Sequence, residues 1–182
     1  MKKISFIFGI VMLLVSCNSG NETCNSTSAE LKTIIKSYEE HKGFDREEFP
    51  LGLYTEEYYK QEADFAKEQL QYFDCIKLEE LSESEQISAD LLKFVLQENI
   101  DFYEFEAYLN PLLSDAGFHT SLPYQVRDFS THQQFVNYLN KLNAIPTFVE
   151  QHIVLMRKGL EKGISQPKII FNDFEETYNS QI

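Results

Sequence analysis

Tryptophan is absent from the 182-residue chain, and glycine (seven) and proline (five) are sparse. That scarcity excludes collagen-like and low-complexity classes, and 43% hydrophobic residues excludes a disordered chain. The length suits one ordinary core. Only three cysteines occur, Cys17, Cys24 and Cys75, too few for a disulfide framework. Cys24 and Cys75 are therefore read as unpaired rather than bridged, and neither has a metal-ligand neighbour at suitable spacing. Basic residues are also few, 16 against 29 acids, for a net charge of −13. So acidic a surface excludes nucleic-acid partners and charge-driven adhesion to anionic lipid. No stretch alternates with period two for long enough to make a sheet. The fold class is all-α.

What is present begins with a leader. Lys2 and Lys3 precede an apolar run, Ile4 to Val15, of about a dozen residues, too short to span a bilayer comfortably and therefore a signal peptide. Leu14-Val15-Ser16-Cys17 resembles a bacterial lipobox. That resemblance implies cleavage before Cys17 and acylation of its thiol and new amino group, giving a lipid anchor to a membrane as partner. Asn18 replaces the Asp of a simple inner-membrane retention signal, so the expected place is the cell envelope, on the outer membrane. Without Lys2 and Lys3, 14 bases face 29 acids and the charge becomes −15. Residues 18–28, polar and nearly free of apolar side chains, read as a flexible tether, leaving 29–182 as the helical domain.

The rest follows helical periodicity in about six helices. The first runs from about Ala29 to His41, with Ser28 as its cap, Gly43 closing it, and Leu31, Ile34, Ile35 and Tyr38 as its stripe. An irregular stretch around Pro50 and Gly52 leads to Thr55, the N-cap of a second helix with seam Tyr59, Ala63, Ala66, Leu70 and Phe73. Ser82 and Glu85 form a capping box that opens a long third helix reaching Phe102 or Phe105. Leu112 to Phe129 is too irregular for helix, a long loop of the kind that is functional or packed around something. Thr131 and Gln134 open a fourth helix, Pro146 begins a fifth that ends at Gly163, and Pro167 begins a sixth through Ile170, Phe174 and Tyr178.

Chemistry is conspicuous by absence. The chain has no HExxH, no GxSxG, no Gly-rich phosphate loop and no CxxC. No catalytic residue and no metal ligand is assigned. His41, His132 and His152 read as surface or packing residues. His119, in Gly117-Phe118-His119-Thr120-Ser121, lies in the long loop between hydroxyls; it is read first as bonded to backbone and second as a ligand contact.

Those same residues, with Tyr138-Leu139, Leu142 and Pro146, and the run from Arg157-Lys158-Gly159 through Gly163 to Pro167, resemble the bacterial family known as domain of unknown function 885. The resemblance runs from about Phe49 to Ile170, and weakly back to Leu31. It implies an all-helical, exported protein whose C-terminal half carries an HExxH zinc site of the gluzincin metallopeptidase type, with peptide as the substrate. In such a site two histidines and a distant Glu hold zinc while the motif Glu activates water. None of those residues is present, so zinc is expected only in the full-length family and this chain carries no cofactor of its own. Three readings follow: the truncated, catalytically silent front part of a lipid-anchored peptidase-like protein; a stand-alone periplasmic binding module; or a structural envelope protein.

Overall fold

A computed structural model describes residues 27–112, 117–121 and 130–171. Its helices are α1 (Thr27–Glu40), α2 (Glu56–Tyr72), α3 (Glu83–Glu104), the single turn α4 (Phe118–Ser121) and α5 (His132–Glu161). Short 3₁₀ turns at Phe73–Cys75, Leu78–Glu80, Ala107–Leu109 and Lys168–Phe171 link or follow them. No strand forms among the described residues beyond one isolated antiparallel bridge, Leu112 to Gly117. The class is all-α, as the periodicity implies.

The first structural unit is α1, α2 and α3. Thr55 caps α2 by accepting from the Tyr58 amide at 3.1 Å, and Glu56 and Glu57 lie in the turn where the helix dipole favours acids. Ser82 and Glu85 form the expected capping box at α3. The core pairs Leu31 and Ile34 of α1 with Ala66 of α2, Phe73 of the turn that follows it, and Ala89, Leu92, Leu96 and Ile100 of α3. Ala63, Ala66 and Ala89 are wholly buried, and side chains so small let helices pack closely. Lys67 on α2 and Glu104 on α3 close the far end at 2.7 Å.

α1 departs from expectation at its start. It begins at Thr27, two residues before the expected start, so Ser28 lies inside the helix rather than capping it. Both hydroxyls bond far along the chain: Thr27 donates to Glu80 in the turn before α3 at 3.0 Å, and Ser28 to Glu85 of α3 at 2.6 Å. The Ser28 and Ser82 hydroxyls together hold the Glu85 carboxyl down at about 2. Gly43 does not close α1 in the left-handed region either. It lies where a Cβ would meet Glu62 and Tyr58 at 2.1 to 2.9 Å, so close packing is what requires glycine.

The expected fourth and fifth helices are one. α5 runs on through Pro146, whose φ suits the helix but which leaves the Leu142 carbonyl without its N–H partner and crowds that carbonyl with its ring. At 30 residues it is about 45 Å long. Its end is a Schellman motif: Gly163 takes φ +78°, its amide donates to Leu160 O at 3.0 Å, and the Ile164 amide donates to Gly159 O at 2.8 Å. The expected sixth helix is, within the described residues, the 3₁₀ turn Lys168–Phe171; Phe174 and Tyr178 lie outside them.

α5 joins the first unit through a second, smaller core of Tyr108, Leu109 and Leu155, flanked by Tyr59, Tyr103 and Ile164. At this joint Gly159 faces Leu109 so closely that a Cβ would stand 2.7 Å from the Leu109 carbonyl oxygen. Replacing a helix-interior glycine with alanine ordinarily stabilises by roughly 0.5–1 kcal/mol. Here the sign reverses: Gly159→Ala is expected to destabilise by about 1–3 kcal/mol, as overpacking does, read as a lowered urea midpoint. In the larger core, Leu96→Ala should cost about 2–5 kcal/mol in the same measurement.

Candidate functional site

The stretch before α2 builds the site. Gly52, at φ +105°, allows a reversal in which Tyr54 folds back over it; a Cβ there would meet the Tyr54 ring at 2.7 Å. Tyr54 then donates its hydroxyl to Leu51 O at 3.1 Å, while its amide donates to the Gln151 side chain at 3.0 Å. The ring lies against α5, 4.3 Å from His152 and 5.2 Å from Phe148 by centroid.

His152 thereby sits in an aromatic box. Phe118 stacks on its imidazole at 4.3 Å and 17°, and Phe148 lies 4.5 Å away. Its Nδ1 lies 2.7 Å from the Phe148 carbonyl, which can only accept, so Nδ1 carries the proton. Burial pushes the imidazole below its ordinary range, opposed by that same hydrogen bond. The ring is neutral at neutral pH. The packing role expected for His152 holds.

Beside the box, between the start of α2 and α5, lies a largely apolar cleft of about 600 Å³. Tyr54, Pro146, Val154 and Leu155 form its walls, with Gln151 and Glu150 as polar points. Lys158 on the rim is ion-paired with Glu56, and this hydrogen bond holds the Glu56 carboxyl below the usual range. Tyr108 adds a hydroxyl to Glu56 and is pushed up to about 12, chiefly by burial. With its lysine already paired, the cleft offers apolar contact and hydrogen bonding. A more polar cavity of about 930 Å³ opens where α1 meets α2. There His41 Nε2 lies 2.9 Å from Glu62 Oε1 and its ring stacks on Phe65 at 3.7 Å. Burial pushes the neighbouring Tyr58 hydroxyl up to about 12.

Residues 40–182 match the family model described as bacterial protein of unknown function, DUF885. The chain belongs to the DUF885 family. Comparison with curated proteins and with solved structures returns no match. In this DUF885 chain the matched region takes in α2 to α5, the apolar cleft, and the lining of the polar cavity except Tyr38 and Glu39.

The structure treats the residues expected from sequence unevenly. Cys17 and the side chain of His119 lie outside the described residues; of His119 only the backbone is placed, in α4. Its neighbour Phe118 reaches the His152 box, so this part of the irregular segment packs on α5. Cys75 corrects an expectation: it is disulfide-bonded, not free. Three cysteines are too few for a disulfide framework but enough for a single bridge. Among the described residues no three His, Cys, Asp or Glu side chains group as a metal site, so zinc finds no ligand set there. Tyr54, Glu56 and Glu106 carry no local signal of their roles. Each acts through a partner far along the chain, Gln151, Lys158 and Lys162 respectively, and α5 and its C-cap supply those partners.

Because the folded His152 binds its proton more weakly than an ordinary imidazole (6.5), the unfolded chain takes up protons first as pH falls. Its contribution is complete above about pH 6.5 and is lost below it, at no more than about 1.4 kcal/mol per pH unit. Denaturation curves from pH 7.5 to 5 are expected to show this loss. His152→Phe, which keeps the aromatic packing, should flatten it relative to the parent chain.

Proposed function

We propose that this DUF885 chain is the front helical part of an exported protein, anchored to the envelope membrane through Cys17, and that it forms one wall of a peptide-binding cleft. The peptidase-like chemistry implied by the family resemblance belongs to residues this chain does not carry, so the chain alone is catalytically silent. The observation that carries the reading is the cleft beside α5: an apolar trough with hydrogen-bonding points at Gln151 and Glu150 and no unpaired lysine. Its wall residue Val154 is 53% exposed, and Leu160, on another face of the same helix, is 63% exposed. Such a trough suits an extended peptide or a covering helical layer. The Cys75 disulfide supports export, since such bonds persist in oxidising compartments outside the cytosol. No described helix is long and apolar enough to cross a membrane; in this reading the acyl chains at Cys17 hold the protein to the bilayer.

Two measurements test this. Labelled palmitate should enter the chain in a bacterial host and fail to enter the Cys17→Ser variant; equal labelling removes the anchor. The purified chain should bind a hydrophobic dye, with Val154→Glu and Leu160→Glu together lowering its fluorescence at least about threefold, as expected of an uncovered apolar patch. A chain that binds no dye, or hydrolyses peptides when given zinc, would end the reading.

A further inference from the structure

α3 buries one face in the core and leaves the opposite face bare. At 100° per residue, Ile87, Leu91, Phe94, Phe102 and Phe105 fall within about 60° of a single line, and Leu91, Phe94 and Phe105 are 61%, 67% and 78% exposed. From Ile87 to Phe105 the stripe is about 27 Å long. The polar residues that share it are acids, Asp90, Glu98 and Asp101. The only base on α3, Lys93, points elsewhere, with Nζ 4.9 Å over the Phe73 ring. Near its end the stripe sinks into a depression of about 360 Å³ floored by Phe94, Phe102 and Phe105 and edged by Glu98 and Asp101. Gln97 donates to Asp101 Oδ1 at 2.8 Å and so fixes that carboxylate beside the aromatic floor.

An aromatic floor with two carboxylates at its edge is the seat for a cationic side chain, whose methylenes lie on the rings while its charge meets the acids. We propose that this face of α3 receives an amphipathic helix of a partner protein, one whose apolar stripe is flanked by Lys or Arg. Charge complementarity sets the choice of occupant. A lipid surface fits poorly, because three carboxylates would face headgroups that are anionic or neutral, on a chain already at −13. A second copy fits poorly too, since a two-fold contact would set the same acids against one another. A basic helix matches both the apolar residues and the charges, in the helix-to-groove mode.

The test uses the full chain in a neutral detergent, with detergent alone as blank, and two synthetic helices of about 18 residues, five turns. Both carry one leucine stripe; one has arginine flanks and the other glutamate flanks. Fluorescence anisotropy should show the arginine-flanked peptide binding at least tenfold more tightly. Added salt should weaken that binding. Phe94→Ser with Phe105→Ser, and separately Glu98→Lys with Asp101→Lys, should each weaken it at least tenfold while leaving the helical circular dichroism melt in place. Equal binding of the two peptides to the parent chain overturns the proposal whether or not the variants fold. So does self-association, or binding to phosphatidylcholine vesicles, that the Phe94→Ser and Phe105→Ser pair abolishes.

Discussion

The approach of α5 to the turn at Leu109 governs how the rest of this protein is arranged. Gly159 has no side chain, and only that lack lets the α5 backbone come down onto the Leu109 carbonyl. Around the contact gather Tyr108, Leu155, Tyr59 and Ile164, and on either side two ion pairs, Glu56 with Lys158 and Glu106 with Lys162. Exposed ion pairs of this kind contribute little individually; here they set the rotation of α5 about its axis. That rotation brings Gln151 to the Tyr54 amide and His152 into its box, and thereby opens the apolar cleft. The cleft is a consequence of one close backbone contact.

Local signals in the sequence proved reliable where local physics decides the outcome. Thr55, Ser82 and Thr131 cap as their spacing requires, and the Ala63, Ala66 and Phe73 seam is buried. Family membership was legible as well; the matched region starts between the weak and the strong beginnings of the resemblance and runs past its end. Signals failed where a distant partner competed with a local one. Ser28 has the chemistry of a cap, yet its hydroxyl goes to Glu85, 57 residues away. Pro146 has the chemistry of a helix start, yet it lost to the packing of Phe148, His152 and Leu155 around it. The cleft was not legible at all, because its walls come from two segments nearly a hundred residues apart.

Acidity and aromaticity divide the surface between them. The aromatic residues cluster inward around Tyr59, Tyr103 and Tyr108 and around His152, where rings stack at 4.3 to 5.8 Å. Acids near bases are tied down, as with Lys67 and Glu104 or Lys77 and Glu80. The outer face of α3 follows neither pattern, with uncovered rings beside carboxylates. That contrast makes it legible as a surface for contact.

Glu106 is the one non-glycine residue with positive φ among those described, at +55°, and its carboxylate is held by Lys162 from the far end of α5. Left-handed backbone is unfavourable for such a residue, by roughly 1 kcal/mol. Everything the three-helix unit needs for its own core lies before that residue, whereas the partner that offsets the strain lies 56 residues later. As the chain folds, then, α1 to α3 can assemble on their own, and the bend after Glu104 sets last, when Lys162 arrives to clasp it.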